Sequence, residues 1–465
     1  MVDFPISDSS GNHIALSDAN VSSLQSQLSG GLLVPGKREY DQARTVWNAM
    51  VDQRPGLIAR CANTADVIAA VNFARSHDLL VAVKSGGHNI AGKSVTTDSF
   101  TIDLSQMKGI EVDVESRTAR CQSGLKLGEL DEGTQAFGLA TVLGIATDTG
   151  MAGVAIGGGY GWLAGRYGMT CDNLVSAELV LADGHVVTAS AQENEELFWG
   201  IRGGGGNFGI VTSFEYRLHP VTTVWGGLII HPRSDAGNFL RFFREYAAGA
   251  PDELTMIALL LHTPDGDPAV AAGVCYCGPT DQAEAVLKPL KEFGCPLADS
   301  VQPISYIEQQ RLLDDAWPPG DQYYWKTSLV SNLSDDAIEV LIEHAAKAPG
   351  PLSAVALQQL HGAATRVLPN ETAFAHRFDH YNFIPLARWT SASEAERNIE
   401  WARDIWQAMQ PHSDEAVYGN DLGEEGDDRI GAAYGPNYDR LVRLKNRYDP
   451  TNLFRLNPNI KPSAA

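Results

Sequence analysis

The sequence predicts an α+β protein of two or three domains, and three observations carry that expectation. Helical spacing and strand alternation succeed one another through the first half of the chain. A second texture, rich in strands and without glycine islands, runs from Val221 to about Ala416. A final amphipathic stretch follows it, and 465 residues leave room for more than one core.

Taken in order, TADVIAAVNFARSHD (64–78) sets apolar residues at helical spacing behind a threonine cap. LLVAVKSGG follows as a short apolar strand, giving a βαβ-like opening. FTIDLSQMKGIEVDVESRTARCQSG (100–124) predicts two strands with a turn. LKLGELDEGTQAFG (125–138) predicts a helix, and LVSAELVLADGHVVTAS (174–190) a hairpin turning at Asp183-Gly184. In the second texture TVWGGLII, ELTMIALLLHT and PAVAAGVCYC read as strands, and SDAGNFLRFFREYAAG and SDDAIEVLIEHAAKA as helices. NYDRLVRLKNRYDPTNLFRLNPNI (437–460) predicts an amphipathic helix stopped at Asp449-Pro450 and an extended tail.

Composition excludes several functions. Apolar residues make up 44% and charged residues 20%, an ordinary globular balance. With 35 basic against 57 acidic residues the net charge is -22, the wrong sign for a nucleic-acid partner. The N-terminal stretch has neither a basic n-region nor an apolar h-region, and no run of 18 apolar residues occurs, so no membrane partner and a cytoplasmic location are expected. The six cysteines are too sparse for a disulfide scaffold, and Cys275-x-Cys277 reads as small buried hydrophobes on one strand face rather than a metal or redox pair. No metal site is expected.

Glycine is the informative residue: 15 of the 45 fall between Gly150 and Gly209, where uniform spacing would put about six. Three islands result, KSGGHN (84–89), TGMAGVAIGGGYG (149–161) and RGGGGNFG (202–209). Gly87 to Ser94 satisfies the phosphate-loop pattern GxxxxGK[ST], but that chemistry needs a helix directly after the Lys-Ser pair, and VTTDSFTIDL is β-branched and turn-rich. Gly159 to Ala164 satisfies GxGxxA, with Glu178 downstream, yet no clean strand precedes it. What the islands share is the capacity of consecutive small residues to converge backbone N–H groups on a diphosphate without basic side chains.

In combination, VKSGGHN, GGGYGWLAGRYGMTCDNLVSAELVLADG, ELFWGIRGGGGNFGIVT and the 437–460 segment resemble the berberine-bridge-enzyme-like branch of the vanillyl-alcohol oxidase and p-cresol methylhydroxylase superfamily. The resemblance runs from about Arg60 to Leu218 and resumes from Tyr418 to Pro462. It implies an FAD-binding domain over residues 1–218, completed by 418–465, with an inserted substrate domain on an antiparallel sheet over 219–417.

The resemblance further implies that His88 carries the flavin covalently through a ring nitrogen. Ser85, Gly86, Gly87, Asn89 and Gly92 would cradle the cofactor from the first island, and Thr149, Gly150, Gly153, Gly157, Gly158 and Gly161 from the second. Ile210, Val211, Asn420, Asn457 and Asn459 would complete the site, with Tyr434 and Asn437 beside it. Many relatives carry a second, cysteinyl bond; its position here is Ala146, so a single attachment is expected. Thr149, compact at a position that tunes oxygen access, favours O2 as acceptor over a dehydrogenase's acceptor.

The YxNY motif of the family reads Tyr418-Gly-Asn420-Asp421 here. A desolvated carboxylate is a base at neutral pH where tyrosine is not, so Asp421 is a candidate base, the alternative being that it opens a solvated acidic loop. Tyr418 shares that motif. Tyr324 and Lys326, of one parity in the YYWK strand, and Gln359 and His361, of one parity in ALQQLHG, are further candidates for the substrate cavity. Arg377 would brace the sheet. The expected substrate is a small molecule with an oxidisable CH–OH or CH–NH group: a sugar, secondary alcohol, alkaloid or polyketide. Dehydrogenase, non-catalytic flavin binder, monomer and homodimer all stay open.

Overall fold

A computed structural model describes residues 4–463. After a two-stranded hairpin, Phe4–Ser7 with His13–Leu16, the chain builds a four-stranded sheet ordered Leu32–Leu33, Leu57–Arg60, Phe100–Asp103, Val81–Lys84, the last three strands parallel. The helix Thr64–Ser76 covers it with Val67, Ala70, Val71 and Ala74 at i, i+3, i+4 and i+7. Its N-cap is Asn63, whose side chain accepts from the Asp66 amide at 3.1 Å, so the cap lies one residue before the expected threonine.

Residues 100–124 form three strands rather than the expected two. Phe100–Asp103 is buried along its whole length and joins the parallel sheet, while Ile110–Asp113 and Thr118–Gln122 pair as a hairpin at the edge of a second sheet. A Cβ on Gly124 would sit 2.1 Å from the Leu104 carbonyl oxygen, so the hairpin leaves the first sheet through a backbone approach that only glycine permits. The second sheet runs Val186–Ser190, Leu174–Val180, Ile210–Arg217, Thr118–Gln122, Ile110–Asp113, all antiparallel. Helices Leu127–Gln135, Glu195–Ile201 and Tyr438–Tyr448 share its core.

A larger antiparallel sheet takes up the second texture. Its central order is Thr223–Pro232, Pro268–Tyr276, Leu254–His262, Ala354–Leu360, His380–Trp389. Alternation divides its faces: Met256, Ala258 and Leu260 turn to helices Ala236–Ala248, Asp335–Ala345 and Ala395–Met409, and Ile257 and Leu259 turn the other way. The helix Ala236–Ala248 buries Phe239, Leu240 and Phe243 there, worth about 1.5–3 kcal/mol each. The other face looks across a cavity toward the glycine islands.

After residue 417 the chain returns to the second sheet through the helix Tyr438–Tyr448. Lys445 and Asp449 on its last turn are fully buried and pair at 2.7 Å. Lys445 Nζ also donates to the carbonyls of Asn207 and Phe454, and Asp449 accepts from the amides of Leu453 and Phe454. One ion pair thereby ties the helix, the third glycine island and the tail together. Lys445→Met leaves a buried carboxylate without its counter-charge, and the expected cost is about 3–5 kcal/mol, read as a lowered urea midpoint. An unchanged midpoint would mean that the tail is held by its apolar contacts alone.

Candidate active site

The three islands meet in space. A Cβ on Gly86 would lie 2.4 Å from Gly150 Cα, and one on Gly150 2.5 Å from the Gly86 nitrogen, so the first two islands touch backbone to backbone. Gly205 amide donates to Ile156 O, bringing the third island against the second. Together with the tail from Phe454 to Pro458 they wall one side of a cavity of about 430 Å³, within the range of small-molecule sites. The opposite wall is the free face of the large sheet.

The glycine side is built to take a ligand close to backbone. A Cβ on Gly153, which lines the cavity, would meet nothing within 4 Å, so the space before it is empty. Among the described residues none offers an acceptor to the amides of Gly86, Gly87, His88 or Asn89. Asn457 Oδ1 and Ser94 Oγ, both on residues lining the cavity, are buried and lack partners. Each such group costs free energy until something binds it.

His88 lies in this wall with its ring stacked on Trp47, centroids 4.1 Å apart and planes 22° apart. Trp47 stacks in turn on Tyr323 at 3.8 Å, and its indole N–H donates to the Trp317 carbonyl at 3.2 Å. Burial pushes the His88 imidazole down to about 4, so the ring is neutral at physiological pH and keeps a nitrogen lone pair. Elsewhere on the cavity, Asp421 accepts from Asn382 Nδ2 at 2.7 Å, and Asn382 Oδ1 accepts from Thr327 Oγ1 at 2.5 Å. Asp421 lines the cavity, and desolvation raises its carboxyl to about 6.

Tyr418 OH accepts from the Gly159 amide at 2.9 Å and from Asn420 Nδ2 at 2.7 Å, and burial drives its acidity far below that of a free phenol. This makes Tyr418 a fixed strut. Asn420 Nδ2 also donates to Val154 O, and a Cβ on Gly157 would strike Asn420 Oδ1.

Several expected residues lie off the cavity. Tyr324 pairs with Ala387, whose side chain belongs to the helix-side core, and directly opposed residues of an antiparallel pair share a face. Tyr324 OH therefore accepts from Arg403 Nε, and Lys326 sits over the Trp406 ring at 4.1 Å with its Nζ 3.3 Å from Glu425. The cavity instead receives Trp325. Gln359 donates to Ala247 O on a covering helix, while its neighbour Gln358 lines the cavity. His361 bonds Leu254 O and packs on Gly165 away from the cavity, and burial holds its imidazole below the ordinary histidine range.

Of the cofactor candidates, Ser85, Gly86, Gly87, Asn89, Thr149, Gly150, Gly153, Gly157, Ile210, Val211, Asn420 and Asn457 line the cavity. Gly92, Gly158, Gly161 and Asn459 lie outside the lining. A Cβ would meet Val51 from Gly92, Met169 from Gly158 and the Leu143 carbonyl from Gly161, so these three serve chain packing. Tyr434 OH donates to Pro458 O at 2.8 Å and lines the cavity, whereas Asn437 bonds Pro369 O away from it. Arg377 forms a buried two-pronged pair with Asp172 at 2.7 and 2.8 Å, tying it to the short helix Thr170–Asn173 rather than to the sheet. Trp47, Tyr160, Asn382, Trp325 and Gln358 carry no sequence signal beyond strand parity and are added by the structure. The element directly after Ser94 is the strand Phe100–Asp103 and not a helix, and no group of three or more metal-ligating side chains occurs among the described residues.

Backbone glycine walls facing an apolar sheet across one cavity suit a planar cofactor linked to a diphosphate. Comparison gives the same class. Residues 55–190 match the FAD binding domain family, and 414–461 the berberine and berberine-like family. A FAD-linked oxidoreductase of Dictyostelium discoideum is 33% identical over 432 residues, covering 92% of this chain and 93% of the relative. The (R)-6-hydroxynicotine oxidase of Paenarthrobacter nicotinovorans is 30% identical over 451 residues, 94% of this chain and 98% of the relative. Among solved structures, 6-hydroxy-D-nicotine oxidase from Arthrobacter nicotinovorans superposes with TM-score 0.87 at 29% identity (94% and 98% of the two chains), and a chitooligosaccharide oxidase with 0.85 at 25% (96% and 100%). The chain belongs to the berberine-bridge-enzyme-like FAD-linked oxidoreductases. The open space before Gly153, the free island amides and the orphaned Asn457 and Ser94 oxygens fit that cofactor.

Proposed function

We propose that the protein is an oxidase that carries FAD on His88 alone and oxidises a CH–OH or CH–NH centre of a small molecule, with O2 as acceptor. The observation that carries this reading is the placement of Asp421 in the wall of the same cavity as His88, its carboxyl held by Asn382. When bound, FAD supplies the two-electron acceptor: the substrate carbon gives up hydride and becomes a ketone or imine, and O2 takes the electron pair and two protons as H2O2.

The chain's own residues do the rest. Asp421, as carboxylate, takes the hydroxyl or amine proton at Oδ1 or Oδ2, and Asn382 keeps it aimed. The strut at Tyr418 holds the turn that carries Asp421. Ala146 and Thr149 both line the cavity and no cysteine does, which supports a single tether and oxygen access. The division at 1–218, 219–417 and 418–465 belongs to the same proposal, as does a small-molecule partner.

The test is anaerobic mixing with a panel of alcohols, sugars and amines. The yellow absorbance should bleach, and air should restore it with one H2O2 per bound flavin. Restoration by a quinone but not by air would make the protein a dehydrogenase. Absence of bleaching with every compound would leave a flavin binder without turnover.

A further inference from the structure

We infer that the substrate is a mainly apolar ring compound, about two or three fused rings long, bearing its oxidisable group on one edge. The inference rests on the oxidase reading above and narrows it. The wall opposite the glycine islands is built from three adjacent strands, which present Ile257, Leu259, Ala356, Gln358, Ile384 and Leu386 to the cavity. Register orders them. Ile257 opposes Gln358, and Gln358 opposes Asn382, so the first row ends on the polar corner where Asn382 holds Asp421. The second row is Leu259, Ala356 and Ile384, and Leu386 lies beyond it.

From Asn382 to Leu386 the strand advances roughly 13 Å, and three strands span roughly 10 Å. Past the first row that floor carries no polar side chain. Leu313 and Trp317 add further apolar wall, and Trp325 adds an aromatic ring whose buried indole N–H has no partner. The charged side chains lining the whole cavity are Asp421 and Lys93, with His88 neutral, and Lys93 Nζ is turned to the tail, 3.3 Å from the Asn457 carbonyl.

A sugar would bring hydroxyls to every part of this floor and find partners only at the first row and at two isolated groups off the floor, the Trp325 indole N–H and the Tyr160 hydroxyl. Each hydroxyl left dry costs about tenfold in binding. A flat apolar body gains from the same surface, and Ala356, small between Leu259 and Ile384, leaves a hollow for a ring.

The test uses the flavin-loaded protein and two readouts. In the first, 9-fluorenol, 1-tetralol and tetrahydroisoquinoline are compared with glucose and cellobiose by anaerobic bleaching. In the second, 9-fluorenone, which cannot be oxidised, is titrated against tryptophan fluorescence. Ring compounds should bleach at least a hundredfold faster per unit concentration than sugars, and the ketone should bind below millimolar. Ala356→Phe should cut the preference for 9-fluorenol over a one-ring secondary alcohol at least tenfold and raise the ketone's Kd, with flavin content retained. Sugars bleaching as fast as ring compounds overturn the substrate class and leave the oxidase reading standing. A ketone that binds while nothing bleaches overturns the oxidase reading and leaves the class. A ketone that does not bind, or an Ala356→Phe protein with unaltered preference, overturns the class.

Discussion

Acid precipitation of the purified protein will leave its yellow colour with the polypeptide, and in the His88→Ala protein the colour will move to the supernatant completely. The expectation follows from the state of the ring. Burial keeps His88 neutral down to about pH 4, so a ring nitrogen holds its lone pair available for bonding to carbon over the whole physiological range. The Trp47 stack fixes the plane of that ring. Its loss in the alanine protein removes about 1 kcal/mol of aromatic contact, too little to unfold the wall, so non-covalent flavin should still bind. The sign of the pH effect is set by the downward shift: attachment in refolding mixtures with added FAD should be constant from pH 8 to about 5 and fail as protonation begins near 4. Replacing any of the six cysteines should release nothing, because Cys61, Cys121, Cys171 and Cys275 are buried away from the cavity and neither Cys277 nor Cys295 lines it. Mass spectrometry of the peptide containing residue 88 is the deciding measurement. An unmodified peptide from wild type, or colour retained after His88→Ala, would place the tether elsewhere or remove it.

Much of this site is legible because close backbone approach leaves a compositional trace. Gly86 against Gly150 is a contact that no other residue tolerates, and it is visible as two glycine islands 64 positions apart. The amphipathic helices and the hairpin at Asp183-Gly184 are likewise written in spacing. What period two cannot supply is phase. Alternation in YYWK says that Tyr324 and Lys326 share a face, but only the pairing of Tyr324 with Ala387 says which face, and that partner lies 63 residues on. Gln358 and Gln359 pose the same ambiguity and resolve through Tyr381, which opposes Gln359 on the helix side. Trp47 is illegible for another reason: it sits in an irregular segment and meets His88 through tertiary packing alone. Asp421 was readable as an unusual residue in a known motif, yet its base-like environment depends on Asn382 from a distant strand.

Replacing Asp421 by asparagine should slow the reductive half-reaction by about 10²–10⁴ and at the same time make the protein more stable at pH 7.5. Both effects come from one cause. Desolvation raises the carboxyl from 3.8 to about 6, which amounts to roughly 3 kcal/mol of cost whenever the folded protein carries this charge. Between pH 4 and 6 the folded state binds a proton that the unfolded state has lost, so stability falls as pH rises through that window. Above pH 6 the whole cost is present, and below pH 4 none of it is. Asparagine is neutral throughout, and its side-chain oxygen can still accept from Asn382 Nδ2. The thermal midpoint of the Asp421→Asn protein should therefore exceed that of wild type by a few degrees at pH 7.5, the gap closing as pH approaches 4. In wild type the bleaching rate with a reactive substrate should climb with pH and level off above about 6, because only the carboxylate accepts the proton; in the variant that limb should vanish. A structural role alone would move the midpoint and leave the pH limb in place. If Asp421→Asn bleaches as fast as wild type, or keeps a rising limb near pH 6, the proton goes to another group and the carboxylate is only a strained part of the wall.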